Sequence, residues 1–476
     1  MQKILGGFGR RKFIKNIGLG VATAVFGAKS ASASRAHSAK YAKGKAKNLI
    51  FLVIDGMCTG TYGLAHHWSL RNQRTPLNWE KVYQYPKLVR ALQDTASASS
   101  PVTDSAAAAS AWGCGQRVMN GAINTDVKGA SLKPLYHYAK SAGKATGLVT
   151  TCRLTHATPA GFAANVAERA MEDEIARQYL ELEIDVLLGG GLKHFQRDGE
   201  SSENNSTPLE LVNEFKIKGY SFLRNKKELA ANVNKQKLLG LFSESHIPYV
   251  IDRKYDETLA AVPSLPDMFK TALQSLSQSE NGFVLQVEAG RVDHAGHVND
   301  PAAILHEFLE FDHCIPIALE FFRKDPDTLL IITTDHGTGG CQLNGWGSAY
   351  CDSGPALERI NKMTASFESL EFDFRAQGCC DAQRFAAATG ITLEASQIEA
   401  IQAAVEDKSV KYLAGQMARI VENQLLENTA TGWTSNNHTS ECVETFALGP
   451  GAEFMKPAIK NNELFHVMTQ ALGFRV

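Results

Sequence analysis

Six short segments of the chain are rich in apolar and β-branched residues, nearly without interruption in 48–54: 48–54, 145–151, 184–188, 283–287, 328–334 and 443–448. Segments of this length without a polar face predict strands buried on both sides, the situation of a parallel sheet. Between them apolar residues fall at helical spacing, most clearly over 301–322, where Pro316 predicts a kink. Buried strands alternating with helices predict an α/β fold, a doubly wound and mostly parallel central sheet flanked by helices. Ligands of such sheets gather beyond the carboxyl ends of the strands. Residues 341–432 break the rhythm. They carry a cysteine cluster and Gly and Ser turns, then helical stretches at 395–406 and 411–427, which predicts a helical and loop insertion on top of the sheet near the C-terminal part of the chain. Gly189, Gly190 and Gly191 lack the Lys and Ser/Thr of a phosphate loop and the spacing of a dinucleotide fingerprint, and read as a turn. Residues 200–206 read as a solvated loop.

The 476 residues are 44% hydrophobic and 21% charged, ordinary globular usage. Their net charge of -1 conceals an asymmetry. Eleven of the 49 Lys and Arg residues lie within 1–48, where there is no Asp or Glu, so the remaining 38 face all 50 acids. An acidic body offers no footprint for nucleic acid. The basic start has its own order. Gly9-Arg10-Arg11-Lys12-Phe13 is a twin-arginine pattern, 17–28 is apolar but too short to span a membrane, and Ala31-Ser32-Ala33 has the small residues of a cleavage site. These features predict an export signal over 1–33, a linker over 34–47, and a periplasmic or secreted protein delivered by the twin-arginine pathway without a permanent membrane anchor.

Nine cysteines are present. Cys58, Cys114, Cys152 and Cys314 lie among apolar or small residues and predict buried thiols. Cys341 and Cys351 share a loop-rich segment, where an oxidising compartment would allow them to pair.

The candidate chemistry lies at the strand ends. Three runs end on carboxylates, Asp55, Glu288 and Asp335. Gathered at corresponding ends, they would crowd negative charge at a cost that bound cations remove. Asp293 and His297 are four apart and face one way on a helical turn. His336 adjoins Asp335, His438 just precedes the last apolar run, and His156 and Thr158 follow the second. Asp and imidazole ligands suit zinc, and an oxygen set from Asp, Glu and Thr suits magnesium. Ser105 follows Asp104 and precedes the helix-forming run AAAASAW. Helix-start N–H groups bind phosphate-like anions, and a hydroxyl there beside a metal can act as a nucleophile. Taken alone, Thr103-Asp104-Ser105 is also an ordinary helix cap. His246, His313 and His466 fall outside the pattern and read as structural.

Together these segments resemble the alkaline phosphatase family from about residue 48 to the C-terminus. TDSAAAASAW resembles its nucleophile segment, and THATPAGFAANVAER its HATPA block, which ends in a substrate-binding Arg. VEAGRVDHAGH, TTDHGTGG and GWTSNNHTSECVETFALGPGA resemble its three metal blocks. Five blocks in the family's order are far more specific than any one alone. The resemblance implies a catalytic domain over 48–476 with the 341–432 insertion inside it. It implies that Ser105 is the nucleophile that becomes phosphoserine, that Arg169 binds phosphate oxygens, and that Asp104 positions Arg169. One zinc would be held by Asp293, His297 and His438. A second would be held by Asp55, Asp335 and His336, with Ser105 approaching it, and a magnesium by Asp55, Thr158 and Glu288. His156 and His294 stand where the enterobacterial enzyme has Asp and Lys. This His pair, seen in animal and several marine enzymes, sets His294 at the substrate and His156 at the third metal, where zinc becomes an alternative to magnesium. The implied activity is hydrolysis of small phosphate monoesters by a homodimer. Rival readings are a phosphodiesterase or sulfatase on the same scaffold, or an exported metal- or phosphate-binding protein without turnover. A sulfatase needs a modifiable Cys or Ser within C/S-x-P-x-R, and Ser105 is followed by four Ala.

Overall fold

The computed structural model describes residues 45–197, 209–345 and 347–476. All six apolar runs form strands of one ten-stranded sheet. In chain order the strands are β1 (Asn48–Ile54), β2 (Val89–Asp94), β3 (Ala145–Arg153), β4 (Val186–Gly190), β5 (Ser221–Leu223), β6 (Leu238–Leu241), β7 (Phe283–Ala289), β8 (Thr328–Thr334), β9 (Val443–Leu448) and β10 (Ala458–Lys460). Their spatial order is β10-β2-β9-β8-β1-β7-β3-β4-β6-β5. Nine strands share one direction and β9 opposes them. Helices cover both faces, and the pleat sorts the side chains. Ile50, Leu52 and Ile54 of β1 enter one apolar layer, and Leu49, Phe51 and Val53 enter the other.

Registry at the centre sets the position of the site. Ile54 lies opposite both Thr334 and Ala289, and Glu288 lies opposite Thr150. The residues leaving β1, β3, β7 and β8 therefore emerge along one edge. Because β9 runs the other way, the segment that leads into it comes from that same edge.

Several elements differ from the sequence expectation. The 301–322 helix does not kink at Pro316. It ends at Asp312 and restarts, giving Pro301–Asp312 and Cys314–Lys324. The Pro316 ring would collide with the Asp312 carbonyl in a continuous helix, and the break moves Pro316 into a first turn, where no N–H is needed. Gly189 and Gly190 complete β4 instead of forming a turn. A Cβ on Gly190 would come 2.1 Å from the Ser245 carbonyl oxygen, and the chain turns only at Gly191, with φ +96. Among the described residues the 341–432 segment contains six α-helices instead of two: Gly354–Ile360, Phe367–Gln377, Ala382–Thr389, Ala395–Glu406, Leu413–Ile420 and Glu422–Thr429. Leu413, Ala414 and Met417 join the main apolar layer beside the Arg291–Val298 helix. Cys341 is buried, Cys351 is exposed, and both are free thiols, so they are not paired. The segment expected to be an export signal (1–33), the expected 34–47 linker up to Gly44 and the expected 200–206 loop lie outside the described residues. Among the described residues no helix is long and apolar enough to cross a membrane.

Candidate active site and metal centres

Ser105 is the first residue of the Ser105–Cys114 helix, and Asp104 is its N-cap, accepting the Ala107 N–H at 2.9 Å. The capping reading of this segment is thus correct and does not compete with the chemical one. The cap leaves Ser105 buried at the positive end of the helix. Its Oγ lies 3.5 Å from Asp55 Oδ1 and 3.3 Å from His336 Nε2.

Asp55 and Asp335 leave adjacent strands, and with His336 they form one group of converging ligand atoms. His336 Nε2 is 3.1 Å from Asp335 Oδ2 and 3.7 Å from Asp55 Oδ1. Asp335 Oδ1 accepts the N–H groups of Gly56 and His336, each at 2.9 Å, which orients the carboxylate. Asp293, His297 and His438 form a second group. His438 Nε2 lies 3.4 Å from Asp293 Oδ1, and His297 Nε2 lies 3.5 Å from Asp293 Oδ2. The Nδ1 atoms of these imidazoles donate to carbonyls, His297 to Asn436 at 2.6 Å and His438 to Thr103 at 2.8 Å. Such bonds fix the tautomer and aim Nε2 inward. Thr338, which the sequence did not single out, donates to Asp293 Oδ1 at 2.6 Å and lies 3.3 Å from His336 Nδ1, joining the two groups.

On the other side of Asp55, Thr158 donates to its Oδ2 at 3.1 Å. Glu288 accepts the Thr150 hydroxyl at 2.5 Å. Asp104 Oδ2 accepts from Arg169 Nη1 at 3.0 Å and from the Gly121 N–H at 3.1 Å, so the capping residue also aims the arginine. The second Arg169 nitrogen donates to His156 Nε2 at 3.0 Å. His294 accepts instead from Arg291 Nη1 at 2.8 Å. His246, read from the sequence as structural, lies beside these residues. Arriving on a loop after β6, its ring sits 4.3 Å from that of His294 and 5.6 Å from that of His156. His313 caps a helix away from this edge, and His466 packs on Phe465.

The electrostatics call for cations. Asp55, Glu288, Asp293 and Asp335 are all buried. Burial and the charges of Asp335, Asp293 and Glu288 push Asp55 well above the usual carboxylate range. Burial, aided by Asp335, pushes Glu288 up to about 7. Glu288 Oε1 and His156 Nδ1 are buried without a hydrogen-bond partner. His297 and His438 bring their Nε2 atoms within 3.0 Å of each other, with their Nδ1 protons already committed. A shared proton or a cation must lie there. Burial opposes charge on His438, yet Asp293 lifts its pKa to about 9. Burial and neighbouring arginines hold His156 and His294 well below the usual histidine range, so both rings are neutral, the form that binds metal. The donor sets, orphaned atoms and crowded charge fit divalent cations.

The alkaline phosphatase family model matches residues 46–474. Over 440 residues the chain is 34% identical to alkaline phosphatase 3 of Bacillus subtilis, covering 90% of each chain. Over 454 residues it is 31% identical to alkaline phosphatase 4 of the same organism, covering 94% of this chain and 93% of the relative. It is similar to the crystal structure of Thermus thermophilus alkaline phosphatase, with a TM-score of 0.82, 35% identity, and coverage of 91% of this chain and 92% of that one. It is also similar to a cold-active alkaline phosphatase from a psychrophilic Shewanella, with a TM-score of 0.73, 30% identity, and coverage of 89% and 99%. Sharing fold and sequence with these enzymes along nearly its whole length, the chain belongs to the alkaline phosphatase family.

Proposed function

We propose that this metal-dependent phosphomonoesterase works through a phosphoserine on Ser105 and is exported by the twin-arginine pathway. The observation that carries the catalytic reading is the position of Ser105 Oγ, within 3.5 Å of Asp55 and His336 at the start of a helix whose cap holds Arg169. Asp293, His297 and His438 would hold one zinc, and Asp55, Asp335 and His336 a second. Asp55, Thr158 and Glu288 would hold a third ion, magnesium or zinc, with His156 beside it. Bound divalent cations supply charge stabilisation for the attacking and leaving oxygens of phosphoryl transfer.

The chain's own groups do the rest. The Ser105 Oγ–P bond forms as the bond from phosphorus to the ester oxygen breaks; the Ser105 hydroxyl gives its proton up to solvent, and the alcohol departs with a proton from solvent. The planar Arg169 fork holds two non-bridging phosphate oxygens, and Asp104 keeps it in plane. The helix start favours the phosphoryl anion. Water then cleaves the phosphoserine to free Ser105 and inorganic phosphate. With positioning and charge as the main contributions, no further covalent chemistry is required. Acid quenching during turnover of a labelled monoester should leave label on the Ser105 peptide. Ser105→Ala should carry no label and turn nothing over while keeping its metals, and a labelled Ser105→Ala protein would sink the assignment.

Export rests on Arg10 and Arg11 and the small residues before position 34. Replacing the Arg pair by Lys should strand the protein in the cytoplasm. A homodimer follows the family resemblance and the general prevalence of twofold assemblies. Light scattering that gives the mass of one chain would exclude it.

A further inference from the structure

Apart from the ligand sets described above, the described residues hold another convergence of metal-binding side chains. Cys152, near the end of β3, brings its thiol to His156 and Glu288, with one ligand atom of each within 4.8 Å of the other two. All three residues are buried. Cys152 also meets His246 and His294. That second set is less suited to a cation. His294 Nδ1 accepts from Arg291, and both ring nitrogens of His246 face Arg153 donors, so His246 has no nitrogen to offer, whereas His156 meets a guanidinium only at Nε2. In the first set the ligand atoms are available. His156 Nδ1 and Glu288 Oε1 are buried and have no partner. The Thr150 hydroxyl occupies Glu288 Oε2 and leaves Oε1 as the oxygen without a partner. Gly290 keeps the space between them clear. A Cβ there would lie 2.5 Å from Cys152 Sγ and 2.9 Å from Glu288 Oε1.

We propose that Cys152, His156 and Glu288 make the third metal position a thiolate–imidazole–carboxylate site that takes zinc in preference to magnesium. The proposal rests on the reading of Glu288 as a third-site ligand. Magnesium requires oxygen ligands in a near-octahedral set, whereas a thiolate with an imidazole suits zinc. Binding forms a sulfur–zinc bond and releases the thiol proton to solvent. Coordination through His156 Nδ1 also moves the ring proton to Nε2. That nitrogen then no longer accepts from Arg169, and the freed Arg169 donor turns to a phosphate oxygen.

The test is metal analysis and cobalt spectroscopy on the mature protein, prepared with zinc and magnesium both supplied. The wild type should hold a third equivalent of zinc and no stoichiometric magnesium. Exchange with cobalt should give a thiolate-to-cobalt charge-transfer band in the near ultraviolet. Cys152→Ser should lose the band and the third zinc while retaining the other two. Gly290→Ala keeps the thiol but fills the space, and should lose both signals as well. Magnesium at the third position, or no band, or a band that survives Cys152→Ser, would overturn the proposal and leave the phosphatase reading intact. A protein that binds no metal at all would overturn both.

Discussion

Replacing Arg169 by Lys keeps the positive charge and removes the planar fork. In the structure one Arg169 nitrogen donates to Asp104 and the other to His156, each at 3.0 Å, so both donors are held in a defined plane. A lysine that reaches Asp104 retains that pair and loses the second donor. A hydrogen bond to a charged group contributes ~1.5–3 kcal/mol, which leads to a ~10–150-fold fall in kcat/KM for Arg169→Lys. Arg169→Ala removes both donors, and its loss should approach ~10³–10⁴-fold. Fold stability should hardly change. The Arg169 side chain is 31% exposed, and an ion pair with that much solvent contributes no more than ~1 kcal/mol. The assay compares kcat/KM for p-nitrophenyl phosphate and bis-p-nitrophenyl phosphate with inhibition by inorganic phosphate, on protein of verified metal content. A monoester offers the fork two charged oxygens and a diester offers less charge, so monoester turnover and phosphate inhibition should fall together while diester turnover falls less. Equal losses on both esters, or unchanged phosphate inhibition, would refute the assignment of Arg169 as the phosphate clamp.

Chelation should abolish activity and lower the melting temperature, because Asp55, Glu288, Asp293 and Asp335 are then left buried together; zinc with magnesium should restore both, and a melting curve indifferent to metal removal would count against the ligand groups. Gly113→Ala should destabilise by at least ~1–3 kcal/mol and depress turnover, since its Cβ would lie 1.9 Å from the Gly161 carbonyl oxygen and push the Ser105 helix off its neighbour; a variant with wild-type melting and activity would show that the helix can shift freely. Glu307 accepts the Val250 N–H at 2.7 Å through Oε1, and burial with the charge of Glu310 raises its pKa to about 8 from 4.5. The folded state therefore binds the proton more tightly, so stability falls as pH rises from 4.5 through 8. Glu307→Gln should flatten that slope in melting temperature between mildly acidic and alkaline pH, and parallel curves for variant and wild type would show that Glu307 is not protonated in the fold.

The central fold was legible because β1, β7 and β8 are buried on both faces, and a strand with no polar face announces itself as an apolar run. The strands that went unseen are those without that signature. β2 alternates with exposed positions, and β5, β6 and β10 have only three or four residues each. The active-site segments could be recognised because Asp104-Ser105, Asp335-His336 and Asp293 with His297 each keep their chemistry within a few residues. By itself the sequence therefore determined the family, the α/β architecture and the local groups proposed to carry the chemistry. What only the tertiary structure decided is which groups meet. His246 arrives on a loop and joins His156 and His294, and Cys152 turns out to share a space with Glu288, although nothing near either residue in the chain marks it. These meetings depend on strand register and on the open space at Gly290. Both are set by how distant segments pack, and distance along the chain carries no record of that.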